Sequence, residues 1–381
     1  MNSSTIGSSA HLAIPEPLAV VVRAARGGPV LATVPLAPSD FSDAEAETWR
    51  DRCLRKGHPE QALADVPMSL VPVREDGSST GRCEGFAIEA ELPDERRERQ
   101  VFTIASLSGV AHRTADSLMA AGRMALGHAF YYEVVAQPAA MRPPVANAGG
   151  PAFTVSFKSV APACLRLPLR PLLEQSTAVD LTDDEVFPVF YTAEAFAKAE
   201  ACSRRGAAAV PPVESGGMLI GSLACCDEAR EFYVIVHDVL EVVGADQDTF
   251  SLSYSGKSWN RIQTILKARQ AARPERLERP VGQCHGHNFL PNDGNLCDQC
   301  EKRATCGLSS VFASQDDRTW MSAVFNRQPW ALCHIFGLTA RKEPVHKLYT
   351  LKDARWQARG YFLLPEFDWN QGTLKTVPTH L

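Results

Sequence analysis

The stretch "QPAAMRPPVANAGGP" (137–151) limits what this chain can fold into more than any other. Proline fixes φ and removes a backbone donor, and glycine loosens the chain, so no helix or central strand runs through it. The chain has 381 residues, beyond the ~250–300 at which single hydrophobic cores stop growing, so a break here divides it into parts. The expected organisation is a short disordered arm at 1–14, an α+β N-terminal domain at 15–137, a Pro/Gly-rich linker at 138–184 and a C-terminal domain at 185–381.

In the first part, "LAVVV" and "PVLATVPL" flank the Gly27-Gly28 turn and predict paired strands. "FSDAEAETWRDRCLRKG" predicts a helix with Ser42 as N-cap, Glu45 as capping-box partner and a stop near Gly57. "GFAIEAEL" alternates Phe86, Ile88, Ala90 and Leu92 with small or charged residues, the period of a half-buried strand. A helix in "VAHRTADSLMAAGRMALG" and a strand in "AFYYEVVA" come next, and no motif assigns this half a function.

The second part has sharper signals. Thr192 caps a helix with Ala193, Phe196 and Ala197 on one face and Gly206 at its end. "VESGGMLIGSL" and "EFYVIVHDVLEVV" read as adjacent apolar strands, and "SGKSWNRIQTILKARQAARP" as an amphipathic helix carrying Trp259, Ile262 and Leu266. "VGQCHGH" is a strand, "DDRTWMSAVF" a short helix, and "WALCHIFGL" and "HKLYTL" are further strands. The class is α/β.

Chemistry concentrates in "QCHGHNFLPNDGNLCDQCEKRATC". On a strand, residues i and i+2 share a face, so His285 and His287 present their imidazoles together, while Gly286 leaves the opposite face bare for a close neighbour. Neutral imidazole suits zinc, and a catalytic zinc takes three protein ligands and keeps one position open. Downstream, "SQDDRTW" holds a Ser-x-x-Asp step into a helix start, where the Asp317 carboxylate can complete a metal site and the Ser314 hydroxyl can donate to an oxyanion. Upstream, Glu214 stands among apolar and small residues at a strand start, costly unless it has a partner. Water at a metal would be one, with Glu214 as its base.

A glutamate before Gly-Gly-x-Leu-x-Gly, a His-x-His strand and a Ser-x-x-Asp helix start, in that order, resemble the JAMM (MPN+) zinc metalloprotease family from about Phe187 to Phe362. The resemblance implies an MPN domain with a layered, cytidine-deaminase-like fold at 185–381, behind the separate α+β domain. It implies that His285, His287 and Asp317 bind the catalytic zinc, that Glu214 is the general base and that Ser314 stabilises the oxyanion. It implies an isopeptidase, deubiquitinase-like, acting after the Gly tail of ubiquitin or a ubiquitin-like modifier. The setting would be a bacterial ubiquitin-like system with its activating and conjugating enzymes. A peptidase trimming a sulfur-carrier protein and a non-catalytic MPN scaffold or adaptor are the alternatives. The chain departs from the family at Gly286 and Asn288, where a hydroxyl residue and a proline are usual, and in the cysteine-rich insertion 288–310 before Ser314. Asp316 competes with Asp317 for the ligand role, and the Ser-x-x-Asp spacing favours Asp317.

The insertion carries Cys297-x-x-Cys300 and Cys306 in a loop rich in Asn, Asp and Gly, which metal binding would order better than burial can. A second, structural zinc is expected on these three thiolates, with Cys284 as the first candidate for the fourth ligand, and His334, Cys333 or a loop acid as others. The remainder of the 11 cysteines shows no disulfide framework, as in a reducing cytoplasm. The N-terminal residues lack the basic and apolar regions of a signal peptide. A net charge of −5 argues against nucleic acid, and no run of ~18 apolar residues argues for a membrane. Cytidine deaminase chemistry fails at His287 and Leu296, which replace the required Glu and Pro. "GSSTG" lies in a turn, and "SGKS" lacks the earlier glycine of a phosphate loop.

Overall fold

The computed structural model describes residues 12, 14, 16–55, 68–74, 81–91, 97–125, 128–136, 162–183, 185–242, 246–247, 252–288, 306–325 and 328–367. Of the expected arm, only Leu12 and Ile14 are among the described residues. Gly57, Leu92, the Pro/Gly stretch, Cys297 and Cys300 lie outside them. The described residues form two compact units, one built from the N-terminal part with Asp353–Arg355, the other from Pro162 onward with the short segment at Leu54.

The first unit is a six-stranded antiparallel sheet with two helices, α1 (Ser42–Arg50) and α2 (Ser108–Ala120). Its strands are β1 (Leu18–Arg23), β2 (Val30–Pro35), β3 (Met68–Arg74), β4 (Arg82–Glu91), β5 (Arg97–Thr103) and β6 (Tyr131–Ala136). They run in the order β2-β1-β6-β4-β3, with β5 also on β4. Val20 pairs with Val34 across the expected hairpin, and Phe86, Ile88 and Ala90 are buried as the alternation requires. Ala87 is buried too, so the middle of β4 is covered on both faces. Ser42 does not cap α1. The chain enters through a 3-10 turn starting at Pro38, Asp40 Oδ2 accepts from the Ala37 amide at 2.9 Å, and Ser42 is already inside the helix.

The second unit is built on a ten-stranded mixed sheet. Its strands are β7 (Leu165–Arg166), β8 (Thr177–Val179), β9 (Val189–Thr192), β10 (Gly216–Cys226), β11 (Glu231–Glu241), β14 (Arg279–Gly286), β15 (Leu332–Leu338), β16 (Pro344–Lys352), β17 (Arg355–Arg359) and β18 (Tyr361–Leu364). A separate small hairpin joins β12 (Asp246–Gln247) to β13 (Leu252–Ser253). The helices are α3 (Leu169–Gln175), α4 (Ala193–Arg204), α5 (Gly256–Ala272) and α6 (Gln315–Phe325). Strand order is β17-β16-β15-β14-β10-β11-β9-β18-β8, with β7 on β10. The whole described chain is thus mixed α/β. No helix among the described residues is long and apolar enough to cross a membrane.

Part of the expected linker is built into this sheet. β7 pairs with β10 and β8 with β18, because Leu165, Leu167 and Leu169 alternate into the core beside Phe190 and Tyr233. The prolines around them hide that alternation in the sequence.

One face of the sheet carries α5 and α6 over Met218, Ile220, Ile262, Leu266, Met321, Phe325 and Ile335. The other carries α4, which packs against β10, β11, β14 and β15. Thr192 caps α4 by accepting from the Ala195 amide at 3.2 Å, as its sequence indicates. Its buried face is Ala195, Ala199 and Cys202, while Ala197 is exposed. The small residues face inward because the helix lies against the sheet at very short range. A Cβ on Gly286 would stand 1.9 Å from Ser203 O, so the bare face between the two histidines is where α4 ends.

Candidate metal centre

Three local features bring the site together. β14 puts His285 and His287 on the α5/α6 face, and β10 places Glu214 just ahead of its first residues. The two strands close tightly there: Gly216 pairs with His285, and a Cβ on it would come 2.1 Å from Cys284 O. Ser215 accepts from the Gly206 amide at 2.7 Å and donates to Ser203 O at 3.0 Å, anchoring the start of β10 to the end of α4. Asn288 Nδ2 donates to Val213 O at 2.8 Å and ties the far end of β14 to the same segment.

The third feature is the start of α6. Asp317 N donates to Ser314 Oγ at 3.0 Å and Ser314 N donates to Asp317 Oδ2 at 2.8 Å, a reciprocal cap. The cap aims the carboxylate at both imidazoles, with Oδ1 at 2.9 Å from His285 Nε2 and Oδ2 at 3.6 Å from His287 Nε2. Asp316 is exposed, so the choice between the two acids falls on Asp317. Ser314 uses its oxygen as the cap acceptor, which leaves its proton available to a ligand.

The centre is compact and buried. His285 Nε2 and His287 Nε2 are 3.1 Å apart, and Glu214 Oε1 is 3.6 Å from His287 Nε2. Both imidazoles are only 2% exposed and the Glu214 side chain 5%, so solvent does little to neutralise this group. Burial alone would push the Asp317 carboxyl up, but the two imidazoles outweigh it and hold its pKa far below the usual carboxylate range.

These atoms fit a divalent metal. His287 Nδ1 lies 2.8 Å from Ser310 O, and a carbonyl can only accept, so Nδ1 carries the proton and Nε2 turns a lone pair inward. Around that lone pair stand a second imidazole nitrogen and two carboxylates, an excess of acceptors that only a proton or a cation can satisfy. Two ligands of a tetrahedral zinc, each at about 2.0–2.1 Å, stand about 3.3 Å apart. The two imidazole nitrogens are 3.1 Å apart, and Asp317 approaches them through different oxygens, Oδ1 at 2.9 Å from His285 and Oδ2 at 3.6 Å from His287. The ligand atoms of Glu214, His285 and His287 likewise lie within 4.8 Å of one another. Asp317 makes a close approach to both rings, and Glu214 adds its own to His287 from the opposite strand. The group can therefore hold a metal ion, and the identity of that ion is a separate question.

The cysteines divide differently. Cys306 is exposed. Cys284 faces α4, opposite the histidines, and donates to Gly217 O at 3.6 Å. Burial pushes its thiol up to about 12, as expected for a cysteine packed in the core. His334 is buried on that same face against Tyr191, and Cys333 on the other face accepts from Gln283 Nε2 at 3.9 Å. Residues that sequence reasoning does not single out are Ser310, which receives the His287 ring through its backbone, and Asn288 as a strand tie. A carbonyl acceptor has no residue signature, so Ser310 carries no sequence signal for this contact.

No family model matches the chain, and no curated protein matches it significantly.

Proposed function

We propose that this chain is a zinc-dependent peptidase or isopeptidase of the JAMM (MPN+) kind, with its MPN domain at 185–381. The observation that carries the reading is Asp317, which the Ser314 cap directs onto both imidazoles of a His-x-His strand. Glu214 arrives from the neighbouring strand, close to one imidazole at 3.6 Å. His285, His287 and Asp317 hold the metal, and Glu214 serves proton transfer. A zinc ion there supplies Lewis acidity toward a carbonyl oxygen and makes water acidic near neutral pH. Glu214 takes a proton from the attacking water and returns it to the leaving amine. The Ser314 hydroxyl donates to the developing oxyanion, a role that leaves its cap bond intact.

The substrate class is the extended Gly-rich tail of ubiquitin or a ubiquitin-like modifier, cleaved in the cytoplasm from a conjugate or a precursor. The cysteine insertion holds a second zinc through Cys297, Cys300 and Cys306 and a fourth ligand, for which Cys284, His334, Cys333 and a loop acid are the candidates.

The test is incubation of the purified chain with modifier fusions that end in Gly-Gly, with and without a chelator, alongside metal analysis. Cleavage after the terminal glycine, abolished by chelator and restored by zinc, is the expected result, with about two zincs per chain. Zinc bound without cleavage of any fusion would make the chain a non-catalytic scaffold. One zinc per chain with full cleavage would leave the cysteine loop without metal.

A further inference from the structure

We infer that Ser310 is a positioning residue for the metal centre: it locks His287 in the tautomer that presents Nε2 to the metal. The inference rests on the reading that a metal occupies the cluster around His285, His287 and Asp317, and it assigns a role to a residue outside that cluster.

Ser310 is fully buried and bonds to His287 at two points. Its carbonyl accepts from His287 Nδ1 at 2.8 Å, and its hydroxyl donates to the His287 carbonyl at 2.9 Å. Ser310 is itself fixed from the far side. Leu338 N donates to Ser310 Oγ at 2.8 Å, and Ser310 N donates to Leu338 O at 2.9 Å. The hydroxyl therefore accepts from one amide and donates to the His287 carbonyl, with Leu338 O a longer second acceptor at 3.4 Å, a pairing that alanine cannot make in a space closed to water. The slot is cut for it: a Cβ on Gly337 would lie 2.2 Å from Ser310 Oγ. His287 N also donates to Phe336 O at 2.8 Å, so the amide, carbonyl and ring of this histidine are all held by the end of β15 and its partner Ser310.

The contrast with His285 shows what the clamp supplies. His285 Nδ1 is buried with no hydrogen-bond partner among the described residues, so nothing there selects its tautomer. In the metal-free protein the 3.1 Å contact between the two Nε2 atoms needs a proton on one of them. His285 Nε2 also faces Asp317 Oδ1 at 2.9 Å, so its ring is placed by the carboxylate and not by a bond at Nδ1. His287 is thus the ligand whose ring is set in advance. Hydrogen bonds to the non-ligating nitrogen fix ring orientation and raise ligand basicity, and losing one typically weakens metal binding about 10–100-fold.

The test uses the full chain labelled with 15N in its histidines. Long-range proton–nitrogen correlation on the metal-free protein reads the tautomers directly, and zinc competition against a chromophoric chelator reads affinity. The expected result is Nδ1–H at His287 in the unsubstituted chain. In Ser310→Ala a mixture of His287 tautomers is expected, with zinc bound about 10–100-fold more weakly. Ser309→Ala, at the neighbouring position outside the clamp, should keep wild-type affinity. An Nε2–H tautomer at His287 in the unsubstituted chain overturns the inference whether or not the variant folds. Equal zinc affinity with an unchanged tautomer in a folded Ser310→Ala overturns it as well. A native chain that binds neither zinc nor cobalt removes the metal reading itself, an outcome distinct from both.

Discussion

The second unit contains two pairs of histidines at almost the same separation, and only one of them has the surroundings of a metal centre. His285 and His287 approach at 3.1 Å through their Nε2 atoms. His334 Nε2 and His346 Nδ1 approach at 3.2 Å on the α4 face of the same sheet. Around the first pair stand Asp317 and Glu214. Around the second stand Tyr191, Phe196, Phe336 and Tyr361. In the second pair, His334 Nδ1 meets the Tyr191 hydroxyl at 3.2 Å, so hydroxyl and imidazoles form a neutral chain of hydrogen bonds. Burial, together with the nearby His346 and His285, pushes the His334 pKa well below its ordinary value, so this pair stays uncharged. Two imidazoles in contact are therefore compatible with a plain core. Carboxylates beside them create a demand for positive charge, and that demand is the mark of a metal site.

The largest effect should come from separating base from ligand. Glu214→Gln keeps the shape and the burial but cannot accept a proton, so it should retain zinc and lose about 100–10,000-fold in hydrolysis. Wild-type cleavage by this variant, measured on a modifier fusion, would remove Glu214 from the chemistry. The comparison of the pairs is tested by His285→Ala and His334→Phe. The first should lower zinc content by one ion per chain, and the second should leave it unchanged, as read by metal analysis of the folded proteins. Loss of zinc in His334→Phe would mean that the aromatic pair supports the metal after all.

An intermediate effect comes from acid. Burial lowers the His237 pKa to about 4, with Glu278 and Asp238 pulling the other way and Arg269 and Arg276 assisting. The folded protein keeps His237 neutral where the unfolded chain, near pKa 6.5, takes a proton. Between pH 6.5 and about 4 the unfolded state binds more protons, so stability falls as pH falls, on the order of 3 kcal/mol across the window. The lowered pKa of His334 acts with the same sign. Asp317, held far below the usual carboxylate range, adds to the loss at the acid end of the window, where the unfolded carboxyl, with a pKa of about 3.9, begins to take a proton that the folded one does not. Urea unfolding at pH 7 and at pH 4.5 measures the loss, and His237→Gln should flatten it. An unchanged slope in that variant would assign the acid sensitivity elsewhere.

How much of this was legible in the sequence depends on the range of the rules involved. The same-face placement of His285 and His287 needs only strand alternation, and the Ser314–Asp317 cap needs only one helical turn, so both can be read locally. Glu214 is legible because a lone acid in an apolar strand start needs a reason. The tie from His287 to Ser310 runs through a backbone carbonyl, and any residue has one. Phe196 packs inward as read, against His334 and Tyr361, but Ala193 and Ala197 are misread as part of the buried face of α4 because alanines carry little hydrophobic signal. What selects Ala195 and Ala199 is the approach of the helix to Gly286, a tertiary distance. The His334–His346 contact is set by the register of β15 against β16, in which Phe336 pairs with His346, and no spacing along the chain reports that.

The smallest effect tests the neutral pair. His346 is half-buried, so His346→Phe removes one hydrogen bond to His334 without opening a cavity in a fully packed region. A neutral hydrogen bond contributes about 1 kcal/mol net, and the added ring area against Phe196 and Tyr361 offsets part of that. The expected cost in urea unfolding at pH 7 is therefore about 1 kcal/mol or less, with zinc content and cleavage unchanged. The corresponding change at the other pair, His287→Phe, removes a ligand and the ring's bond to Ser310 O beside the buried Asp317 and Glu214, and should cost several-fold more. If the two substitutions destabilised the metal-free protein equally, the carboxylates would not be what separates the pairs. The electrostatic argument for the metal centre would then lose its physical basis.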